Sequence, residues 1–149
     1  MLLSFRQTLI GCAVALSTAF TAAQADVTGL WQGYGSWTYD GSSIPCLLTI
    51  RFEENQTHVR RHKGQLQCDV LTMHSDPLMW QKNGSELLLE GEMAGSWSEN
   101  GIKTEELAGD NIKVSTDLNA ATGEYHEVWS RVSDGAIFYD IRANLKRSK

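Results

Sequence analysis

The segments EYHEVWSR (residues 124–131) and YDIRANLKR (residues 139–147) hold the densest mix of reactive side chains in the chain. Between them, Asp134-Gly135 is a strong two-residue turn signal. A hairpin closed on that turn sets Val132 against Ile137, Ser130 against Tyr139, Val128 against Ile141 and His126 against Ala143. Its other face gathers Tyr125, Glu127, Trp129 and Arg131 with Phe138, Asp140 and Arg142. Facing inward, such a set grips an anionic head through an Arg and a Tyr while aromatic walls bury an apolar tail. Arg131 and Arg142 are then the anion partners, and Tyr125 and Trp129 are wall residues. Facing outward, the same charges make cross-strand ion pairs worth under ~1 kcal/mol each. Alternation alone does not choose between the two.

Other chemistry is sparse. The chain has four histidines. His58 and His62 share a strand face four residues apart, about 13 Å, too far to chelate one metal. His126 has the chemistry of a general base, and packing or surface exposure suits it equally. The chain has no G-x-S-x-G, P-loop, C-x-x-C or H-E-x-x-H motif. The carboxylate pairs Glu53-Glu54 and Glu105-Glu106 point to opposite faces of any strand. The sequence therefore reads as a non-catalytic protein with no metal site. All five tryptophans lie beyond residue 30. Trp37, Trp97 and Trp129 suit the wall of a pocket for an apolar ligand, a sugar face or a haem plane, and equally the filling of a small core.

The elements that must position these residues are short strands. Turn signals such as YDGSS, EENQ, KNGS, SENG, AGDN and NAATG recur roughly every ten residues, the spacing of an all-β sandwich or barrel. No stretch sustains a helical period. Residues 44–54 alternate Ile44, Cys46, Leu48, Ile50 and Phe52 on one face. A turn centred on Thr57 sets Phe52 against His62, Leu48 against Leu66 and Cys46 against Cys68, with Glu53 beside Arg61 on the other face. A one-residue slip breaks all of these matches. The register predicts a Cys46–Cys68 disulfide worth about 2–4 kcal/mol.

The stretch TGLWQGYGSW, residues 28–37, aligns Gly29, Trp31, Gly33 and Gly35 on one side of a strand. Glycines there permit sharp curvature and close backbone approach, and a large Trp plugs the floor of a small barrel. Gly29-x-Trp31 resembles the G-x-W signature of lipocalins and other calycins. That resemblance implies a single antiparallel up-and-down β-barrel of 8–10 strands. It also implies a basic residue late in the chain packed over Trp31, with Arg142 the first candidate and Arg147 the second. Gly29-x-Trp31-x-Gly33-x-Gly35 is similar to the opening of the nitrobindin family, ten-stranded haem-binding barrels. Their last strand reads H-L-x-A-x-L-x-R, and here Ala143, Leu145 and Arg147 fit while Asp140 stands at the place of the haem-ligating His. The substitution disfavours haem, since Asp is a poor axial ligand.

Residues 1–25 read as a secretory signal peptide: Arg6, the apolar run TLIGCAVALSTAF, and an A-x-A site ending at Ala25. Leu9-Ile10-Gly11-Cys12 is also similar to a lipobox, with only eight residues before it. The apolar run is too short for a stable membrane span. Residues 26–149 suit one lipocalin-like β-barrel domain. Without Arg6 the chain carries 12 basic against 18 acidic residues, a balance that speaks against nucleic acid. The expectation is a periplasmic or secreted barrel with a small hydrophobic ligand (lipid, tetrapyrrole or aromatic) in its cavity. The alternative is an inhibitor or adaptor that binds another exported protein, such as a secreted hydrolase, through its outer surface.

Overall fold

The computed structural model describes residues 26–148, so the proposed leader lies outside the described residues. The described chain is all-β and antiparallel, without helix. Its strands are β1 (Gly29–Tyr39), β2 (Ser42–Glu54), β3 (His58–Arg61), β4 (Gly64–Cys68), β5 (Thr72–Ser75), β6 (Leu78–Asn83), β7 (Glu86–Leu89), β8 (Glu92–Ser98), β9 (Gly101–Leu107), β10 (Ile112–Asn119), β11 (Glu124–Arg131), β12 (Ile137–Asn144) and β13 (Lys146–Ser148). The order β1-β12-β11-β10-β9-β8-β7-β6-β3-β2 closes through β1–β2 pairing. Ten strands thus form a barrel-like ring in which neighbours in sequence are neighbours in space, except that the β4–β5 hairpin intervenes in sequence between the paired strands β3 and β6. The β4–β5 hairpin extends the upper part of β2, and β13 continues β12 along the lower part of β1.

Closure depends on the glycines of β1. A Cβ on Gly33 would stand 2.0 Å from the Asn144 carbonyl oxygen, and one on Gly35 2.0 Å from that of Arg142. The backbone of β12 therefore crosses β1 where only hydrogen fits. That contact bends β1 enough to pair with β2 along its whole length and with β12 and β13 in turn.

The first hairpin has the expected register where the cysteines lie. Cys46 pairs with Cys68 and Leu48 with Leu66, and the disulfide joins them across a Cα–Cα distance of 4.3 Å. Nearer the turn the register shifts by one: Phe52 faces Arg61 and Glu53 faces Arg60. The turn is tighter than one centred on Thr57, because the Asn55 side chain accepts from the Thr57 and His58 backbone N–H groups. The extra residue is absorbed at His62-Lys63, between β3 and β4, where His62 N–H still reaches the Arg51 carbonyl. This bulge rotates Arg61 from the exterior, beside Glu53, into the core, where it is 3% exposed.

The last hairpin departs from its expected register. Tyr125 faces Ala143, Glu127 faces Ile141 and Trp129 faces Tyr139. The cause is a loop longer than two residues: Arg131 N–H bonds to the Ala136 carbonyl, and Gly135 N–H bonds back to the Arg131 carbonyl. Tyr125, Glu127 and Trp129 consequently share a face with Tyr139 and Ile141, while Asp140 and Arg142 move to the opposite one.

The two ends of the ring differ. At one end lie the first and last described residues and the turns at 55–57, 84–85, 99–100 and 120–123. Trp31, Phe52, Trp80, Leu87, Ile102 and Leu118 fill it and are almost fully buried. The Trp31 indole N–H donates to the Val27 carbonyl at 2.8 Å, and the Arg147 guanidinium lies 5.3 Å from the Trp31 ring centre. Arg147 therefore occupies the place over Trp31, not Arg142. Below it, Glu54 accepts from Lys82 at 2.5 Å and from the Val27 N–H at 3.0 Å, with both side chains of the ion pair buried. At the opposite end the turns at 40–41, 69–71, 90–91, 108–111 and 132–136 surround an aromatic and polar interior.

Candidate functional site

The interior at the second end is built from three polar contributions. The bulge in the β3–β4 strand delivers Arg61, β9 delivers Thr104 and Glu106, and β11 delivers Tyr125, Glu127 and Trp129. On β9 the alternation that buries Ile102 and Thr104 continues regularly, so Glu106 points inward while Leu107 is 67% exposed. Arg61 donates to Glu106 at 2.9 Å and to the Asp76 carbonyl at 3.1 Å, and its guanidinium lies 5.6 Å from the Trp80 ring centre. The Arg61–Glu106 pair is almost completely withdrawn from water. Arg61 Nε, Glu106 Oε2 and Thr104 Oγ1 have no hydrogen-bond partner within the protein. Such groups are costly to bury without partners.

Glu127 is 8% exposed. Tyr125 OH donates to its Oε2, and the Trp129 indole N–H donates to its Oε1 at 2.6 Å. Among the described residues it has no ion-pair partner, because the nearby guanidinium of Arg61 is committed to Glu106. Burial raises the pKa of Glu106 above the ordinary carboxylate value. Arg61 opposes that shift and the charge of Glu127 adds to it. Burial, and then the Glu127 charge, hold the Tyr125 phenol well above its ordinary value, so it stays protonated and donates.

Between this cluster and the rim lies a recess of about 50 Å³. Leu48, Leu66 and Met73 line one wall, and Tyr125, Glu127 and Trp129 the other, with Tyr139 and Ile141 beside them. An aromatic group closes the rim. Trp37 packs edge-on to Tyr139 at 5.3 Å, Trp129 lies 5.6 Å from Tyr139, and Phe138 4.8 Å from Tyr139. A space this size takes a group of a few heavy atoms, well below the roughly 300 Å³ at which drug-sized pockets begin.

Of the ligand contacts expected from sequence, Tyr125 and Trp129 line the recess. Trp37 is buried behind Tyr139. Trp97 belongs to the closed end: its ring faces the Lys82 ammonium at 4.1 Å, and its N–H donates to the Gly84 carbonyl at 2.8 Å. Arg131 and Arg142 are not interior anion partners. Arg131 pairs with Asp134 at 3.2 Å, and Arg142 with Asp140 at 3.1 Å, both exposed. Asp140 also meets His126 at 3.1 Å. Arg61 and Glu106 were not anticipated as interior groups. The signal for Glu106 is its inward parity with Ile102 and Thr104 on β9. For Arg61 no local residue marks the bulge.

Outside the ring, β8–β12 carry two broad grooves of about 850 and 790 Å³. Lys103 and Asp117 form a 2.9 Å ion pair between them. The second groove is bordered by Met93, Val132 and Ile137, each more than half exposed. No group of His, Cys, Asp and Glu among the described residues has metal-binding geometry, and no described helix is long and apolar enough to cross a membrane. No protein-family model, curated protein or solved structure matches this chain.

Proposed function

We propose that this chain is an exported, lipocalin-like binding protein that takes a small ligand at the aromatic end of its ring of strands. The observation that supports this most is the recess itself. One end of the ring is packed with tryptophan and aliphatic side chains around one fully partnered ion pair, Lys82–Glu54, whereas the other retains a partly partnered polar cluster beside a space of about 50 Å³. An interior serving stability alone gains nothing from two carboxylates and an arginine, which are costly to desolvate. The size of the recess narrows the expected ligand. A lipid chain or a tetrapyrrole is too large for it, and a short molecule or the tip of a longer one fits. The reading is of binding rather than catalysis, because both oxygens of the one carboxylate lining the recess are held by Tyr125 and Trp129. Native mass spectrometry of protein purified from the producing cell tests this. Excess mass released on denaturation is the expected result. A bare mass, with no perturbation of Trp129 by any small solute, overturns it.

A second reading has its own support. The groove bordered by Met93, Val132 and Ile137 suits an adaptor or inhibitor bound to another exported protein through the outer face. Capture of an envelope hydrolase that is lost with Ile137→Glu and retained with Glu127→Gln favours this reading over the first.

A further inference from the structure

We propose that the recess selects a ligand head bearing a single positive charge, an alkylammonium group. The inference rests on the recess being a binding site. It starts from charge. The interior cluster holds one guanidinium, Arg61, for two carboxylates, Glu106 and Glu127. Arg61 is bonded to Glu106 and to the Asp76 carbonyl. Glu127 is left with two neutral donors, Tyr125 OH and Trp129 Nε1–H, and no cation. A carboxylate removed from water in this way is stabilised by a counter-charge brought to it.

The surroundings specify what kind of cation. Each Glu127 oxygen accepts one hydrogen bond and retains acceptor capacity for another. Trp129 and Tyr139, whose ring centres lie 5.6 Å apart, line the same space, and aromatic rings attract an ammonium through their quadrupoles. Leu48, Leu66 and Met73 on the opposite wall suit methylene groups. A hydrated metal ion finds no second carboxylate lining the recess, whose remaining polar border is Gln65, Ser75 and the mostly exposed His74. An anion meets Glu127. An ammonium with a short alkyl tail satisfies all three walls. That head has two sources: a free small amine, or the lysine side chain of a protein bound at the rim.

The test follows the Trp129 indole N–H resonance, assigned through Trp129→Phe, during titration with n-butylammonium, n-butanol and butyrate. The indole N–H bonds directly to Glu127, so occupancy of the carboxylate moves it. Butylammonium should saturate the shift at a concentration at least about tenfold below butanol, the margin of one charge-assisted hydrogen bond, and butyrate should not bind. Glu127→Gln should abolish the preference while leaving the remaining spectrum folded. Equal affinity for butylammonium and butanol, or preference for butyrate, overturns the inference while leaving the recess as a binding site. No shift with any of the three overturns both. The comparison of solutes on the unaltered protein stands even where Glu127→Gln fails to fold. A capped lysine derivative binding as well as butylammonium assigns the head to a protein side chain. Binding of the free amine alone assigns it to a small molecule.

Discussion

The two ends of this ring are made by the same strands and stabilised by opposite means. The closed end is a hydrophobic plug: Trp31, Phe52, Trp80 and Leu118 exclude water, and the one buried ion pair there, Lys82–Glu54, is satisfied by further partners. Lys82 also donates to the Asn55 carbonyl, and Glu54 accepts from Val27 N–H. The open end has charges of comparable burial that are only partly satisfied. Burial alone therefore does not mark the functional end. The partnering of the buried charges does: those of the closed end are satisfied and those of the open end are not, while the plug atom without a partner, Trp80 Nε1, is uncharged. A fully partnered buried polar group is structural, and a partly partnered one beside a recess is poised for something to join it.

The strongest way to break this contrast is substitution at both ends. Trp31→Ala should cost about 3–5 kcal/mol through cavity formation at the closed end. Arg61→Leu should cost about 3–5 kcal/mol for a different reason, because Glu106 loses the cation it pairs with. The two losses should differ in rescue. Arg61→Leu combined with Glu106→Leu should recover most of the loss in denaturant unfolding, since the buried charge goes with its partner. No second substitution of one residue refills the Trp31 cavity. Failure of the double variant to recover stability would mean that the pair is structural, and the contrast between the ends would fall with it.

The disulfide gives the next effect. Reduction of Cys46–Cys68, or Cys46→Ala with Cys68→Ala, should lower stability by about 2–4 kcal/mol. The bridge lies at the open end, beside Leu48 and Leu66 of the recess wall, so it should also loosen the recess. Weaker ligand response at Trp129 after reduction, under conditions where the fold persists, checks this.

What the sequence made legible follows from these same residues. The alternation of Ile44, Cys46, Leu48 and Ile50 is a two-faced pattern with cysteines in register, and a slip would have exposed it all at once. The glycine row of β1 was legible because a missing side chain has few causes. Arg61 was not legible. A bulge at His62-Lys63 needs no glycine or proline, and one inserted residue turns an expected surface ion pair into a buried charge. Arg142 and Arg131 were misplaced by the loop closing β11–β12. The Asp-Gly signal was present, but the loop is closed by Arg131 N–H on the Ala136 carbonyl, leaving four residues between them, and a one-residue error in register exchanges inside for outside. The apolar stripe of β12, Ile137, Tyr139, Ile141 and Ala143, could be matched to the face of Val128 and Val132 as readily as to that of Tyr125 and Trp129, so alternation did not correct it.

Titration offers a finer test of the open end. The folded pKa of Glu106 is raised, so the folded state binds more protons than the unfolded one between the ordinary carboxylate pKa and the raised value. Stability from this group is therefore fully present below the unfolded pKa and is lost as pH rises through the folded pKa. Glu106→Gln should flatten that part of the stability profile measured from pH 4 upward. An unchanged slope in the Glu106 variant would separate this carboxyl from the acid-side profile.

The smallest effect concerns the lid of the closed end. Arg147 is exposed yet lies over the Trp31 ring and donates to the Asp26 carbonyl, tying β13 to the segment that leads into β1. An exposed cation–π contact is worth about 0.5–1 kcal/mol, so Arg147→Ala should lower the unfolding midpoint by a small, measurable step. Arg142→Ala is the matched control. It removes a basic residue from the neighbouring strand, but that residue pairs only with Asp140 on the outside, where ion pairs contribute about 0–1 kcal/mol and are screened by salt. Raising ionic strength should erase the Arg142 effect and leave the Arg147 effect, since stacking against a buried indole depends less on exposed charge. Equal behaviour of the two arginines in salt would mean that Trp31 needs no cation over it, and the plug would then consist of apolar packing alone.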